Sequence, residues 1–262
     1  MRLKPTLIFA LIFLITAVFS QTSPTQAQAP TVTLIGTFQP ALGCDEWQAD
    51  CPASQLTFDE THQLWLATFN LPAGNYEYQA ITPDGTIGAL AETDGTPITL
   101  ALASDSGVTF FYSPTTNWLA DTINHVLANV PGSYQGEVGC PKTMLSTDEF
   151  DWSPDCLQTL LQDPDNDGIY EYRTTLIPVG NYEAKVALNQ SWAENYGDEG
   201  APGGSNIAFV VTKDNAEVLF SWDSESKIMT ILAEGAPKGN LGEATAYWLA
   251  PDLIATKLEA EA

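Results

Sequence analysis

The chain has 262 residues, 44% of them hydrophobic, with 33 acidic and 9 basic residues and a formal net charge of −24. That balance excludes nucleic acid as a natural partner, because phosphate backbones need lysine and arginine to neutralise them, and it argues against anionic membrane surfaces. It does not predict disorder: only 16% of the residues are charged and 10% are aromatic, so a core can be buried.

The N-terminus predicts the compartment. Arg2 and Lys4 precede an apolar run from Leu7 to Phe19, and a polar stretch, QTSPTQAQAP, follows. This is the pattern of a secretory signal peptide, assigned to residues 1–29, with cleavage after Ser20, Ala27 or Ala29 left open. The run is short for a membrane span, no lipobox cysteine accompanies it, and no second apolar segment of spanning length follows. The expected product is secreted or extracellular, without a membrane span after signal cleavage.

The remainder repeats itself. GTFQPALGCDEWQADCP from Gly36 matches GSYQGEVGCPKTMLSTDEFDWSPDC from Gly132, with a longer interval between the cysteines of the second copy. LPAGNYEYQA (Leu71–Ala80) matches IPVGNYEAKV (Ile177–Val186), and VTFFYSPTTNWLAD (Val108–Asp121) matches VLFSWDSESKIMTI (Val218–Ile231). This register predicts two domains of roughly one hundred residues each, a size typical of small sandwich domains: copy one at 30–127, copy two at 128–232, then a linker and the truncated start of a following domain at 233–262.

Each copy reads as β. Leu64–Phe69 and Tyr170–Leu176 are rich in strand formers with alternation, Pro72–Asn75 and Pro178–Asn181 are turns, and Val108–Tyr112 and Val218–Trp222 are late strands. Short strands broken by turns at this spacing predict an antiparallel sandwich. The helical hints are a C-terminal stretch, Ala255–Ala262, and a turn near Asp148–Trp152. Trp65, Tyr76, Tyr78, Tyr172 and Tyr182 alternate on strands and are expected in the core or on a sheet face. Four cysteines in a secreted chain suggest disulfides. Of the three pairings, repetition selects Cys44–Cys51 and Cys140–Cys156, each stabilising its domain by about 2–3 kcal/mol on the chain-entropy model. A cysteine-rich zinc site is disfavoured, since His62 and His125 occur in the first copy alone and lack ligand spacing.

These strings resemble the amylopullulanase accessory module of bacterial pullulanases, in two tandem copies. The GxxQxxxGC…W…DC opening, the L-P-x-G-x-Y-E turn and ALNQSWAENYGDEGAPGGSNIAFVV (Ala187–Val211) carry the resemblance from about Thr31 to about Leu232. It implies an immunoglobulin-like β-sandwich and an ancillary carbohydrate-binding role. Copy one departs from it, reading TPDGTIGAL (Thr82–Leu90) where SWAENYG stands in copy two. GNLGEATAYWLAPDLIA (Gly239–Ala255) is similar to the strand that opens the next domain in pullulanases, which implies the N-terminal fragment of a longer debranching polypeptide.

No catalytic constellation is legible. Glycosidases of this type carry an Asp/Glu pair on a barrel that alone needs about 250 residues, so the chain is expected not to be an enzyme, and no cofactor is expected. Asp163–Gly168 has carboxylates at alternate positions and glycine sixth, as in a calcium loop, but Thr174 stands where an EF-hand needs its bidentate glutamate. It is read as an acidic hairpin turn, with no metal assigned. The candidate sugar platforms are Trp192, Tyr196 and Trp118, whose rings offer flat apolar faces; Trp47 and Trp152 are expected to pack on the disulfides. The expected function is to bind α-glucan (starch or pullulan) for a downstream catalytic domain. The alternatives are a structural spacer without sugar affinity and a calcium-dependent adhesion module.

Overall fold

The computed structural model describes residues 31–82, 85, 87–88 and 96–235. The leader, most of Pro83–Leu90 and the tail with its Ala255–Ala262 helix hint lie outside the described residues. Within them there is no α-helix, and regular structure is antiparallel strand with four short 3-10 segments. The turn of helix considered near Asp148–Trp152 is instead a run of bends, because the acidic side chains there accept from backbone N–H groups, Asp148 from Glu149 N at 2.7 Å and Asp151 from the distant Gly136 N at 2.8 Å. No helix among these residues is long and apolar enough to cross a membrane.

Among the described residues, copy one contains eight strands: β1 (Thr33–Gly36), β2 (Thr57–Asp59), β3 (Leu64–Leu71), β4 (Gly74–Ile81), β5 (Ile87–Gly88), β6 (Ile98–Leu102), β7 (Ser106–Tyr112) and β8 (Leu119–Asp121). One sheet runs β1-β4-β5 with β6 also on β4, and the other runs β2-β3-β7-β8. Copy two contains β9 (Ala128–Asn129), β10 (Ile169–Thr174), β11 (Gly180–Ala184), β12 (Val186–Leu188), β13 (Asn195–Tyr196), β14 (Ile207–Val211), β15 (Val218–Asp223) and β16 (Met229–Ala233). There β10-β15-β16 form one layer, and β11-β14 with β13-β12-β9 form the other. The long β4 of copy one corresponds to β11 and β12, which part at Lys185, whose N–H donates to Pro131 O at 3.0 Å.

Alternation explains the layers. On β6, Ile98, Leu100 and Leu102 are buried while Thr99 and Ala101 are exposed; on β15, Val218, Phe220 and Trp222 are buried. Period-two apolar faces of two sheets close on each other. In copy one, Tyr78 of β4 meets Phe110 of β7 edge-on at 5.0 Å; in copy two, Tyr134 stacks on Phe220 of β15 at 5.0 Å. Gly36 and Gly132 let β1 and its counterpart approach the neighbouring strand: an added Cβ would lie 2.1 Å from Glu77 O and 2.5 Å from Glu183 O.

A third apolar cluster joins the copies. Leu64, Phe111, Trp118, Ala120 and Leu127 of copy one bury against Leu160 of copy two, with Leu66 and Leu157 packed alongside. Thr116 Oγ1 donates across the join to Gln162 Oε1 at 2.5 Å. Trp118, a candidate sugar platform from sequence, is 0% exposed in this cluster. Its ring offers no face to a ligand, because it fills the space between the copies.

Candidate functional site

The opening motif of each copy folds around one buried glutamine. Gln39 Oε1 accepts from Gly36 N at 3.2 Å and Gln48 N at 2.8 Å, while its Nε2 donates to Gln48 O at 2.8 Å and Ser54 Oγ at 3.0 Å. Gln135 repeats this: Oε1 accepts from Gly132 N at 3.4 Å and Ser153 N at 2.7 Å, and Nε2 donates to Ser153 O at 3.0 Å and Thr159 Oγ1 at 2.9 Å. Both glutamines are fully buried, so satisfying all four bonding positions of the amide is what makes that burial tolerable. The 3-10 turn Gln39–Leu42 ends on Gly43 at φ 86°, and its counterpart Gly139 has φ 91°. Cys44 is bonded to Cys51 at a Cα separation of 6.0 Å, and Cys140 to Cys156 at 5.8 Å.

The knot presents a tryptophan in an unusual conformation. Trp47 and Trp152 both have φ 57°, a left-handed backbone that costs a bulky residue about 1–2 kcal/mol. Each N–H closes onto the first glycine of its motif, Trp47 to Gly36 O at 3.3 Å and Trp152 to Gly132 O at 3.2 Å. Both side chains are half-buried, yet neither belongs to a core cluster or makes a ring–ring contact among the described residues. Around Trp152 an open groove is lined by Ser133, Asn181, Tyr182, Glu183 and Phe209. Tyr182 stacks on Phe209 at 5.5 Å, and its hydroxyl donates to Pro178 O at 3.1 Å. Copy one has Thr37, Trp47, Asn75, Tyr76 and Glu77 in the same order, with the Tyr76 hydroxyl on Pro72 O at 2.9 Å. Thr37 Oγ1 accepts from Glu77 N at 2.9 Å, as Ser133 Oγ does from Glu183 N at 3.0 Å.

Trp192 and Tyr196 sit on the loop before and within β13, both half-buried. The Trp192 indole N–H donates to Leu145 O at 3.4 Å, which ties the loop to the longer inter-cysteine segment of copy two. Tyr196 lies 6.5 Å from Trp222, with Lys227 Nζ 5.7 Å from its ring centre, and its hydroxyl donates to Glu194 at 2.6 Å. That bond to a carboxylate raises the Tyr196 hydroxyl above its ordinary pKa. Trp118 lies in the buried cluster that joins the copies.

In the acidic loop, carboxylate oxygens of Asp163, Asp165 and Asp167 lie within 4.8 Å of one another. Asp163 is nearly buried; its oxygens accept from Asp167 N and Gly168 N, both at 3.1 Å, and Asp167 accepts from Ile169 N at 2.7 Å. These are the bonds of a turn feeding β10. Burial pushes the Asp163 carboxyl above its ordinary range, with Asp165 and Asp167 adding to it.

Sequence comparison adds an independent line. The family model described as the pullulanase X25 domain matches twice, at residues 31–119 and 127–229. An amylopullulanase of Thermoanaerobacterium thermosulfurigenes is 31% identical over 83% of this chain, and one of Thermoanaerobacter thermohydrosulfuricus is 32% identical over 84%. An amylopullulanase of Thermoanaerobacterium saccharolyticum is 30% identical over 84%. The chain spans 12–17% of the length of these relatives. A solved pullulanase from Bacillus acidopullulyticus aligns over 78% of this chain and 28% of its own, at 16% identity and a TM-score of 0.33.

Proposed function

Since the chain belongs to the pullulanase X25 domain family and carries two copies of that accessory, non-catalytic module, we propose that it is a secreted unit that binds α-glucan. In this reading it holds a pullulanase-type catalytic domain against starch or pullulan. The observation that carries the reading is Trp192, a half-exposed indole in a polar loop of copy two, outside both cores. A pyranose ring stacked on such an indole removes roughly 60–80 Å² of apolar surface from water, about 1.5–2 kcal/mol, or about ten- to thirty-fold in affinity. Tyr196 supplies a second ring on the same loop. Export is supported by the leader pattern and by two disulfides. The two domains are proposed to divide at 127/128.

The test is electrophoresis of the full chain in gels containing amylopectin. The wild type should be retarded, and Trp192→Ala should be less retarded while circular dichroism stays native. A wild-type mobility unchanged by amylopectin removes the glucan reading. The spacer reading is favoured by two contacts, the anchoring of Trp192 to Leu145 and of Tyr196 beneath Lys227. It predicts that Trp192→Ala loosens copy two without any wild-type retardation to lose.

A further inference from the structure

We infer that Trp47 and Trp152 are the centres of two equivalent glucan-contacting ledges, one on each copy. The inference rests on the glucan reading above and adds sites that the Trp192 loop does not contain. Three observations carry it.

The first is the strained backbone. The left-handed region favours glycine and asparagine, and a tryptophan there is an outlier. Here the outlier occurs twice, at equivalent positions with the same φ of 57° and the same bond to the motif's first glycine. The turn itself requires only a backbone N–H. A residue that strains the turn and leaves its ring outside both cores is explained if the ring is used at the surface.

The second is the loop rebuilt around it. The cysteines are separated by 7 residues in copy one and by 16 in copy two. Although the connection differs in length and composition, the tryptophan returns to the same conformation beside the same glutamine knot.

The third is the company the ring keeps. In copy two the ring shares a groove with Asn181, Tyr182 and Glu183 and with the hydroxyl of Ser133, and copy one carries Asn75, Tyr76, Glu77 and Thr37 at the matching positions of its sequence. Thr/Ser and Tyr have bonding reasons to recur, since they hold Glu N–H and Pro C=O. The exposed Asn and Glu of both copies are not needed for the core. An aromatic plate flanked by an amide and a carboxylate suits a neutral ring with apolar C–H faces and hydroxyls at its edge. The carboxylate, with no lysine or arginine among the lining residues of the copy-two groove, opposes an anionic ligand. Two such ledges on one chain allow one branched polymer to engage both, so avidity exceeds single-site affinity.

The experiment uses the full chain in amylopectin gels, with Trp47→Asn, Trp152→Asn and the double variant beside wild type and Trp192→Ala. Asparagine accepts the left-handed backbone, so the turn is kept and the ring removed. Each single variant should be retarded several-fold less than wild type, and to a similar degree; the double variant should lose at least ten-fold. Asn75→Ala with Asn181→Ala, exposed and away from the knot, should weaken retention in the same direction, and settles the matter if the tryptophan variants lose native circular dichroism. Retardation of the double variant and of the asparagine pair equal to wild type overturns the two ledges while leaving the glucan reading intact. Loss on Trp152→Asn alone overturns their equivalence. A wild-type chain that is not retarded overturns both.

Discussion

The two copies differ most instructively at one row of side chains. In copy one, Leu66, Phe111 and Ala120 face one another across β3, β7 and β8. In copy two the same row across β10, β15 and β16 reads Glu171, Ser221 and Thr230. Trp118, whose carbonyl accepts from Ser113 N at 2.9 Å, corresponds to Ile228, which accepts from Asp223 N at 3.0 Å; the first is 0% exposed and the second 46%. Copy one has an apolar face because copy two covers it. Copy two has a polar face there, which needs no cover of this kind. Stacked repeats follow the same logic, with a covered face on inner units and a polar outer face on a cap.

That comparison is broken most severely by Trp118→Ala. Emptying a fully buried tryptophan site should cost about 3–5 kcal/mol. Hydrogen exchange should show lost protection on both sides of the join, at β8 in copy one and around Leu157 and Leu160 in copy two. If the loss stays within copy one, the cluster is not shared.

A smaller effect tests what the copies hold in common. Gln39→Leu and Gln135→Leu each strand buried backbone and hydroxyl groups, at about 3 kcal/mol. Thermal unfolding of the two variants should show similar losses. A marked inequality would mean that the longer loop of copy two has taken over part of the knot's work.

The smallest effect separates the copies by pH. In copy one, Asp121 is fully buried and accepts from the Tyr78 hydroxyl at 2.5 Å, from Ile123 N and Asn124 N at 2.7 Å each, and from Asn124 Nδ2 at 2.8 Å. Burial pushes this carboxyl up, but His125, Tyr78 and the backbone donors outweigh it and hold it below its ordinary value. Its stabilisation is therefore complete above the ordinary carboxylate range and is lost as pH falls through the lowered folded value. Copy two has Ala184 and Ile231 in place of this pair, while Asp163 there is shifted upward. A raised carboxyl favours the fold at low pH and loses that contribution as pH rises past its unfolded value. Asp121→Asn should cost about 2 kcal/mol at neutral pH and progressively less in acid, with the change confined to copy one in exchange experiments. An acid profile identical to wild type would sink the assignment.

Much of this was legible in residue order. Matched cysteines, glycines and aromatics showed the duplication, and alternation in Leu64–Phe69 and Tyr170–Leu176 showed the strands, because a half-buried sheet writes its period into the chain. The Asp148–Trp152 segment misled, because its spacing says nothing of the side-chain bonds that bend it. Trp118 misled for a different reason: a ring at a strand end looks the same whether it faces water or another domain, and only the position of copy two decides. The role of Gln39 and Gln135 was written in the GxxQ motif but not readable there, since an amide's four partners lie up to 24 residues away, as Thr159 does from Gln135. The left-handed Trp47 and Trp152 have no sequence signature at all, because that backbone ordinarily announces itself through glycine or asparagine.

The glutamine knot also has a consequence for how these domains can change. Lengthening a closed loop from 7 to 16 residues raises the entropic cost of closure by only about 0.7 kcal/mol. Gln135 clamps the chain at Gly132 and at Ser153, so residues 141–150, none of them buried, hang outside the sandwich core. Met144, Leu145 and Phe150, large apolar residues carried exposed on this loop, show that unfavourable surface is tolerated there. That outer stretch is thus a socket into which foreign peptide can be spliced, at the expense of the Trp192–Leu145 bond and not of the core beneath it.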